Sequence, residues 1–226
     1  MPNQHRHPEW IGHRGAPREF PENTLPGFLR AVDRGADAVE LDVHRTRDGA
    51  VVIHHDPMLR QLDGSPVAIT TLTLAELRDW PLPDGARIPT LADVMDALGD
   101  SATVYVELKG DGVGDAAVDV ALEFGHWFAF HSFDHDAVLG LQARYPDLDY
   151  GLLFDAGTPD VAARAAEYPV RDLWPHRSVV DQALVRAAHA AGKRVLVWTV
   201  NDAHEARRLA ALGVDGLCGD DVRLFG

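Results

Sequence analysis

Four short fragments of the chain carry residues able to do acid–base and metal chemistry: Gly12-His13-Arg14-Gly15, Glu40-Leu41-Asp42, His54-His55-Asp56 and Glu107-Leu108-Lys109. Each closes a short apolar or β-branched run. Strand side chains alternate faces, so Glu40 and Asp42 share a face that Leu41 avoids, and Glu107 and Lys109 do the same around Leu108. Three like charges this close cannot all stay ionised without a cation. Carboxylate-only ligands suit one hard divalent ion, Mg2+ or Ca2+, with water and substrate oxygens completing its shell. His13 and His55 can serve as base and acid for displacement at phosphorus, each worth about 10²–10⁴-fold. His54 points to the opposite face and reads as structural. Arg14 and Lys109 can hold phosphate oxygens, Arg through two parallel bonds and Lys as a point charge, and can pair with the carboxylates as well.

Weaker candidates surround this set. Glu22 contacts the site, while Asn23 and Thr24 are explained as caps of the helix that follows. Trp198 either walls the pocket or fills the core. His131-Ser132-Phe133 and Trp174-Pro175-His176 end two further strands and are candidate pocket linings. No Ser, Thr or Cys holds a convincing covalent position, since Ser132 lacks a neighbouring base and Thr199 follows Trp198 on its strand. The attacker is then water or a hydroxyl of the substrate.

These fragments need a scaffold that gathers strand ends. Apolar runs near 9–13, 37–43, 51–55, 103–108, 127–132, 149–154, 171–174, 194–200 and 214–218 predict strands, with amphipathic helices between most of them. Thr90 and Asp202 read as helix caps, and Gly35, Gly99, Gly192 and Gly213 as helix stops. Repeated βα units in a chain of 226 residues point to a single-domain (β/α)8 barrel. Nine strand candidates are one too many. About seven residues join 37–43 to 51–55, too few for a crossover helix. Either the barrel lacks a helix there or the pair is a hairpin-like excursion. The stretch 56–89 reads as an irregular insertion over the catalytic face, with one short helix opened by the capping box Thr73-Leu74-Ala75-Glu76.

Composition narrows the class. A formal charge of −14 argues against nucleic acid or an anionic membrane as partner, and an anionic substrate would need cations of the site's own. The single cysteine, Cys218, excludes an intrachain disulfide framework. His5 and His7 read as a solvated N-terminal arm. Neither a signal-like segment nor a run of about 18 apolar residues is found, so a cytoplasmic protein without stable membrane association is expected. A homo-oligomer is left open.

In order, His-Arg-Gly, Pro-Glu-Asn-Thr, Glu-Leu-Asp-Val, His-Asp-Pro, Ile-Pro-Thr-Leu, Glu-Leu-Lys, Ser-Phe, Trp-Thr-Val-Asn and Gly-Val-Asp-Gly resemble the glycerophosphodiester phosphodiesterase family over nearly the whole chain. The resemblance implies a TIM barrel and metal-dependent hydrolysis of small glycerophosphodiesters to glycerol 3-phosphate and an alcohol. It implies metal binding by Glu40, Asp42 and Glu107, acid–base roles for His13 and His55, and phosphate contacts from Arg14 and Lys109. Two departures stand out. After His-Asp-Pro the chain reads Met58-Leu59-Arg60-Gln61-Leu62-Asp63-Gly64, and the family's closing Thr-Asp is Gly219-Asp220. Both are expected to lie away from the catalytic set and to alter headgroup preference. The rivals are a lysophospholipase-D-like or sphingomyelinase-D-like enzyme, disfavoured by charge, and a C–N or lactone hydrolase, whose His-x-His pair is lacking. A non-catalytic phosphodiester-binding barrel would have lost a His or carboxylate, and none is missing.

Overall fold

The computed structural model describes residues 7–80, 82, 85–125 and 127–225, so the expectation for His5, and that for Pro81, Pro83 and Asp84 of the insertion, lie outside it. Along the chain, β1 (Glu9–His13) and α1 (Leu25–Asp33) lead to β2 (Ala38–Arg45), which turns back at once as β3 (Val51–Ile53). A small hairpin, β4 (Met58–Arg60) and β5 (Pro66–Ala68), and α2 (Leu74–Arg78) precede α3 (Leu91–Leu98). Strands and helices then alternate: β6 (Thr103–Leu108), α4 (Val113–Phe124), β7 (Phe128–Ser132), α5 (His135–Arg144), β8 (Asp149–Phe154) and α6 (Val161–Arg164). The last units are β9 (Asp172–Pro175), α7 (Gln182–Ala190), β10 (Arg194–Val197), α8 (Ala203–Leu212) and β11 (Gly216–Gly219).

β1, β2 and β6 to β11 pair in parallel, and β1 pairs with both β2 and β11, so the ring closes into the expected (β/α)8 barrel. The surplus strand is β3. It pairs antiparallel with β2, Val43 opposite Ile53, and stands outside the ring. Of the two alternatives the sequence left, the hairpin-like excursion is the one observed, and α3 supplies the helix before β6. The excursion matters for the site. β2 runs past the barrel rim and β3 brings the chain back down, so that the His54 amide donates to the Asp42 carbonyl at 3.0 Å.

Local signals explain the helix starts. Thr73 with Glu76 and Thr90 with Asp93 form reciprocal capping boxes, and Asp202 accepts from the His204 and Glu205 amides. Inside the ring, Ile11, Ala38, Tyr105, Ala129, Leu153, Trp174, Leu196 and Cys218 form one buried cluster. Trp174 fills this space because Gly151 faces it: a Cβ there would sit 2.7 Å from the indole. At the lower end Tyr105 donates to Glu9 at 2.9 Å, Arg194 donates to Tyr105 at 3.2 Å, and Arg171 donates to buried Asp172 at 2.6 Å. Polar groups at that end of a TIM barrel serve stability.

The described residues of the insertion form more regular structure than expected. Its Asp63-Gly64 pair, with Gly64 at φ +83°, turns the β4–β5 hairpin rather than a plain loop. Leu59, Ile69, Leu72, Leu77 and Ile88 pack with Val52 of β3 in a separate apolar cluster. The Arg47 amide donates to the Leu72 carbonyl at 2.8 Å and ties the insertion to the β2–β3 turn. Among the described residues no helix is long and apolar enough to cross a membrane.

Candidate active site

Barrel register assembles the carboxylates. His13 lies opposite Glu40, Asp42 opposite Glu107, and Glu107 opposite His131 on β1, β2, β6 and β7. His13, Glu107 and His131 lie at or next to the C-terminal ends of their strands, and Glu40 and Asp42 lie level with them on β2, which continues past the rim; this is the face where TIM barrels do chemistry. Glu40 is 3% exposed, Asp42 0% and Glu107 7%, so water does little to moderate their mutual repulsion.

Two cations and an amide answer part of that charge. Arg14 Nε lies 3.1 Å from Asp42 Oδ2, and its Nη1 donates to Glu22 Oε1 at 3.1 Å. Lys109 Nζ lies 2.6 Å from Glu107 and 3.3 Å from Asp42. Arg14 and Asn23 both occupy the left-handed region, at φ +52° and +57°. Such backbone costs on the order of 1 kcal/mol and persists where neighbours impose it. Here it aims the Arg14 amide at Glu40 Oε2, 3.1 Å away, and the Asn23 amide nitrogen at Asp42 Oδ2, 2.8 Å away.

The titration behaviour follows from these contacts. Burial raises Asp42, but Arg14 and Lys109 outweigh it and hold the carboxyl at about 2. Burial pushes Glu107 up to about 7 against the pull of Lys109. Burial, then Asp42 and Glu107, lift Glu40 well above the carboxylate range. The site therefore carries more negative potential than its own cations cancel. Glu40 Oε1 is also buried without a hydrogen bond, and Asp42 Oδ1 meets the Lys109 ammonium, 3.3 Å away. An orphaned carboxylate oxygen beside two further buried carboxylates fits a divalent cation. One donor atom each from Glu40, Glu107 and His131 lie within 4.8 Å of one another.

Both proposed acid–base histidines are held through Nδ1. His13 Nδ1 is 2.6 Å from Asp220 Oδ1, and His55 Nδ1 is 2.8 Å from Asp56 Oδ1. A neutral imidazole whose Nδ1–H donates to a carboxylate presents its Nε2 lone pair outward. His13 Nε2 lies 3.9 Å from Glu40 Oε2. His54 shares a cavity of about 530 Å3 with His55, between the Pro17–Thr24 loop and Leu82 and Ala86 of the insertion. Buried His44 contacts the His55 carbonyl through Nε2 at 3.1 Å. Trp198 donates to the Trp174 carbonyl at 2.9 Å and meets Phe133 edge to face at 5.4 Å, so it both packs and walls.

Three expectations need correction or extension. Asn23 is a partner of Asp42 and not a cap, and Thr24 bonds back to the Pro21 carbonyl at 2.7 Å instead of capping α1. Asp220 does not lie away from the catalytic set: it holds His13, and its own amide donates to Asn201 Oδ1 at 2.7 Å. His131, expected only as lining, faces the carboxylates. The available signal was its place at the end of β7, level with Glu107.

A barrel that gathers buried carboxylates, two cations and carboxylate-tethered histidines on its C-terminal face defines an enzyme of the phosphodiesterase class. The chain belongs to the glycerophosphoryl diester phosphodiesterase family, whose model matches residues 13–224. It is 30% identical over 226 aligned residues to the glycerophosphodiester phosphodiesterase of Caldanaerobacter subterraneus subsp. tengcongensis, with 93% of each chain covered. Its structure superposes with TM-score 0.88 and 27% identity on a crystal structure from Silicibacter pomeroyi described as a glycerophosphoryl diester phosphodiesterase, covering 98% of this chain and 93% of that one. An Oleispira antarctica phosphodiesterase, solved in complex with the product sn-glycerol-3-phosphate, superposes with TM-score 0.83 at 29% identity, covering 97% and 96%.

Proposed function

We propose that this enzyme hydrolyses small glycerophosphodiesters to glycerol 3-phosphate and an alcohol, using one divalent ion and a histidine acid–base pair. The observation that carries this reading is the buried Glu40, Asp42 and Glu107 cluster beside Arg14 and Lys109, with Glu40 Oε1 left unbonded. Glu40, Asp42 and Glu107 would hold the ion, and carboxylates alone favour Mg2+ or Ca2+. Bound there, the ion supplies Lewis-acid polarisation of a phosphoryl oxygen.

The chain's own residues do the rest. Arg14 and Lys109 neutralise non-bridging oxygens of the diester. Asp220 orients His13 and Asp56 orients His55, so each presents Nε2 to the reacting groups. One takes the proton of the attacking hydroxyl, and the other delivers a proton to the departing alcohol oxygen as the P–O bond breaks. The attacker is water or the substrate's 2-hydroxyl, one carbon from the esterified oxygen. We favour the hydroxyl, because intramolecular attack reaches effective molarities on the order of 10⁵ M. Its product is a cyclic phosphate that water then opens. An analogue with hydrogen in place of that hydroxyl should bind and turn over far more slowly; hydrolysis at the normal rate would put water in the first step.

The deciding assay is release of glycerol 3-phosphate from a panel of glycerophosphodiesters by chelator-treated enzyme, with and without added Mg2+ or Ca2+. Activity should vanish on chelation and return with metal. Full activity after exhaustive chelation would sink the metal-dependent reading.

A further inference from the structure

The three-carboxylate set leaves His131 without a task. It stands at the end of β7, opposite Glu107 in register, with a side chain 2% exposed. Its ring stacks on Trp174, centroids 4.5 Å apart at 14°, and meets the edge of Tyr105 at 6.4 Å. Nδ1 is buried without a hydrogen bond, and Nε2 lies 3.9 Å from Glu40 Oε1. The unbonded Nδ1 carries a desolvation cost that ligation through Nε2 does not recover, so the case for a ligand rests on Nε2, which faces Glu40, and on the group it forms with Glu107.

The placement suits ligation. Two ligands of one ion, each about 2.1 Å from it, can be up to about 4.2 Å apart. The Nε2 to Glu40 separation falls inside that limit, and Glu107 belongs to the same group of donor atoms, all within 4.8 Å, which closes on an ion by a side-chain shift of about half an ångström. Trp174 and Tyr105 fix the ring plane from behind, so little side-chain freedom is lost on binding.

We propose that His131 is a nitrogen ligand of the metal site alongside Glu40 and Glu107, and that it shifts the site's preference from Mg2+ and Ca2+ toward a transition ion of the Mn2+, Co2+ or Zn2+ class. The inference rests on the metal-dependent reading above. Mg2+ and Ca2+ are bound through oxygen, whereas imidazole nitrogen adds affinity for first-row transition ions. A nitrogen among carboxylates therefore costs affinity for the hard ions and gains it for the softer ones.

The test uses the metal-free full-length enzyme and the metals alone. Calorimetry with Mn2+, Co2+, Mg2+ and Ca2+ ranks the affinities, and pulsed electron paramagnetic resonance of the Mn2+ complex detects a directly bound nitrogen. The unmodified protein should bind Mn2+ and Co2+ at least tenfold more tightly than Mg2+, with clear ¹⁴N modulation. His131→Gln should lose that modulation and most of the preference while still binding Mg2+, and His13→Gln should keep both. Mn2+ bound with no nitrogen coupling in the unmodified protein would overturn the inference whether or not the variant folds. So would modulation that survives in His131→Gln but disappears in His13→Gln. If the metals bind equally through oxygen alone, only this inference fails; if none binds, the metal-dependent reading fails with it.

Discussion

At the residue scale, the two histidines held by carboxylates make the sharpest claims. His13→Ala and His55→Ala should each lower kcat by about 10²-fold or more, the ordinary loss of a general acid or base. Asp220→Asn should keep the fold but lower kcat, because an amide no longer fixes the Nδ1–H tautomer of His13. Steady-state kinetics on one diester checks all three, and an Asp220→Asn enzyme with unchanged kcat would make the 2.6 Å contact merely structural. His44 offers a finer probe. A carbonyl can only accept, so its 3.1 Å contact with the His55 carbonyl requires a proton on Nε2. Gln places an amide nitrogen near the position of Nε2, and Asn near that of Nδ1. His44→Gln should therefore retain most activity and His44→Asn lose more of it, through kcat; equal losses would dismiss His44 as a positioner of His55. These contacts also show where sequence reading stops. Glu40, Asp42, Glu107, His13 and His55 enter the candidate set because each closes a short apolar or β-branched run. Asp220 bonds His13 from the far end of the chain, and Asn23 reaches Asp42 only through a left-handed backbone. No local pattern encodes either partnership.

The same limit appears at the scale of elements. Periodicity and glycine stops located the barrel strands and several helices, because each is a local match between hydrophobic spacing and geometry. The role of 51–55 was not local. Whether that run joins the ring or folds back depends on β6 taking the place beside β2 along six registered pairs from Ala38↔Thr103 to Val43↔Leu108. The insertion is the element with the clearest functional consequence. Leu82 and Ala86 face His54 and His55 across one cavity, and the rest is pinned by its own apolar cluster. Shortening 82–87 should reorder the preference among diesters while metal binding, read by calorimetry, survives; an unchanged order would place headgroup selection elsewhere. Helix capping gives a pH-dependent counterpart. The Glu205 and His204 amides hold the Asp202 carboxyl below its ordinary value. A carboxylate depressed on folding contributes stability above its unfolded pKa of about 3.9 and loses it as pH falls through the folded value. Asp202→Ala should therefore lower Tm at pH 7, and the gap to the unmodified protein should narrow below about pH 4. A gap that stays constant from pH 7 to pH 3 would remove the cap charge from the explanation.

At the scale of the whole molecule, the site works against its surroundings. The chain carries a formal charge of −14, yet the reaction proposed for it begins with an anion. Arg14 and Lys109 act at contact range and are already engaged by Asp42, Glu107 and Glu22. The remaining acidic surface acts over a distance that salt controls, about 30 Å at 0.01 M ionic strength and about 10 Å at 0.1 M. Long-range repulsion should thus fade as salt rises, while the contacts proposed to hold the diester, at partly buried Arg14 and Lys109, should be screened far less. For a diester with an uncharged alcohol, and so a net negative charge, kcat/KM should rise at least about twofold between 10 and 150 mM NaCl. A diester with a cationic alcohol has no net charge, so its kcat/KM should change less. kcat itself should stay level for both, because the bound complex no longer feels the approach. The comparison within one enzyme cancels any general effect of salt on folding or on metal loading. A kcat/KM for the anionic diester that falls steadily with salt would mean that the rim cations govern approach, and that the acidic remainder of the surface is too distant to matter.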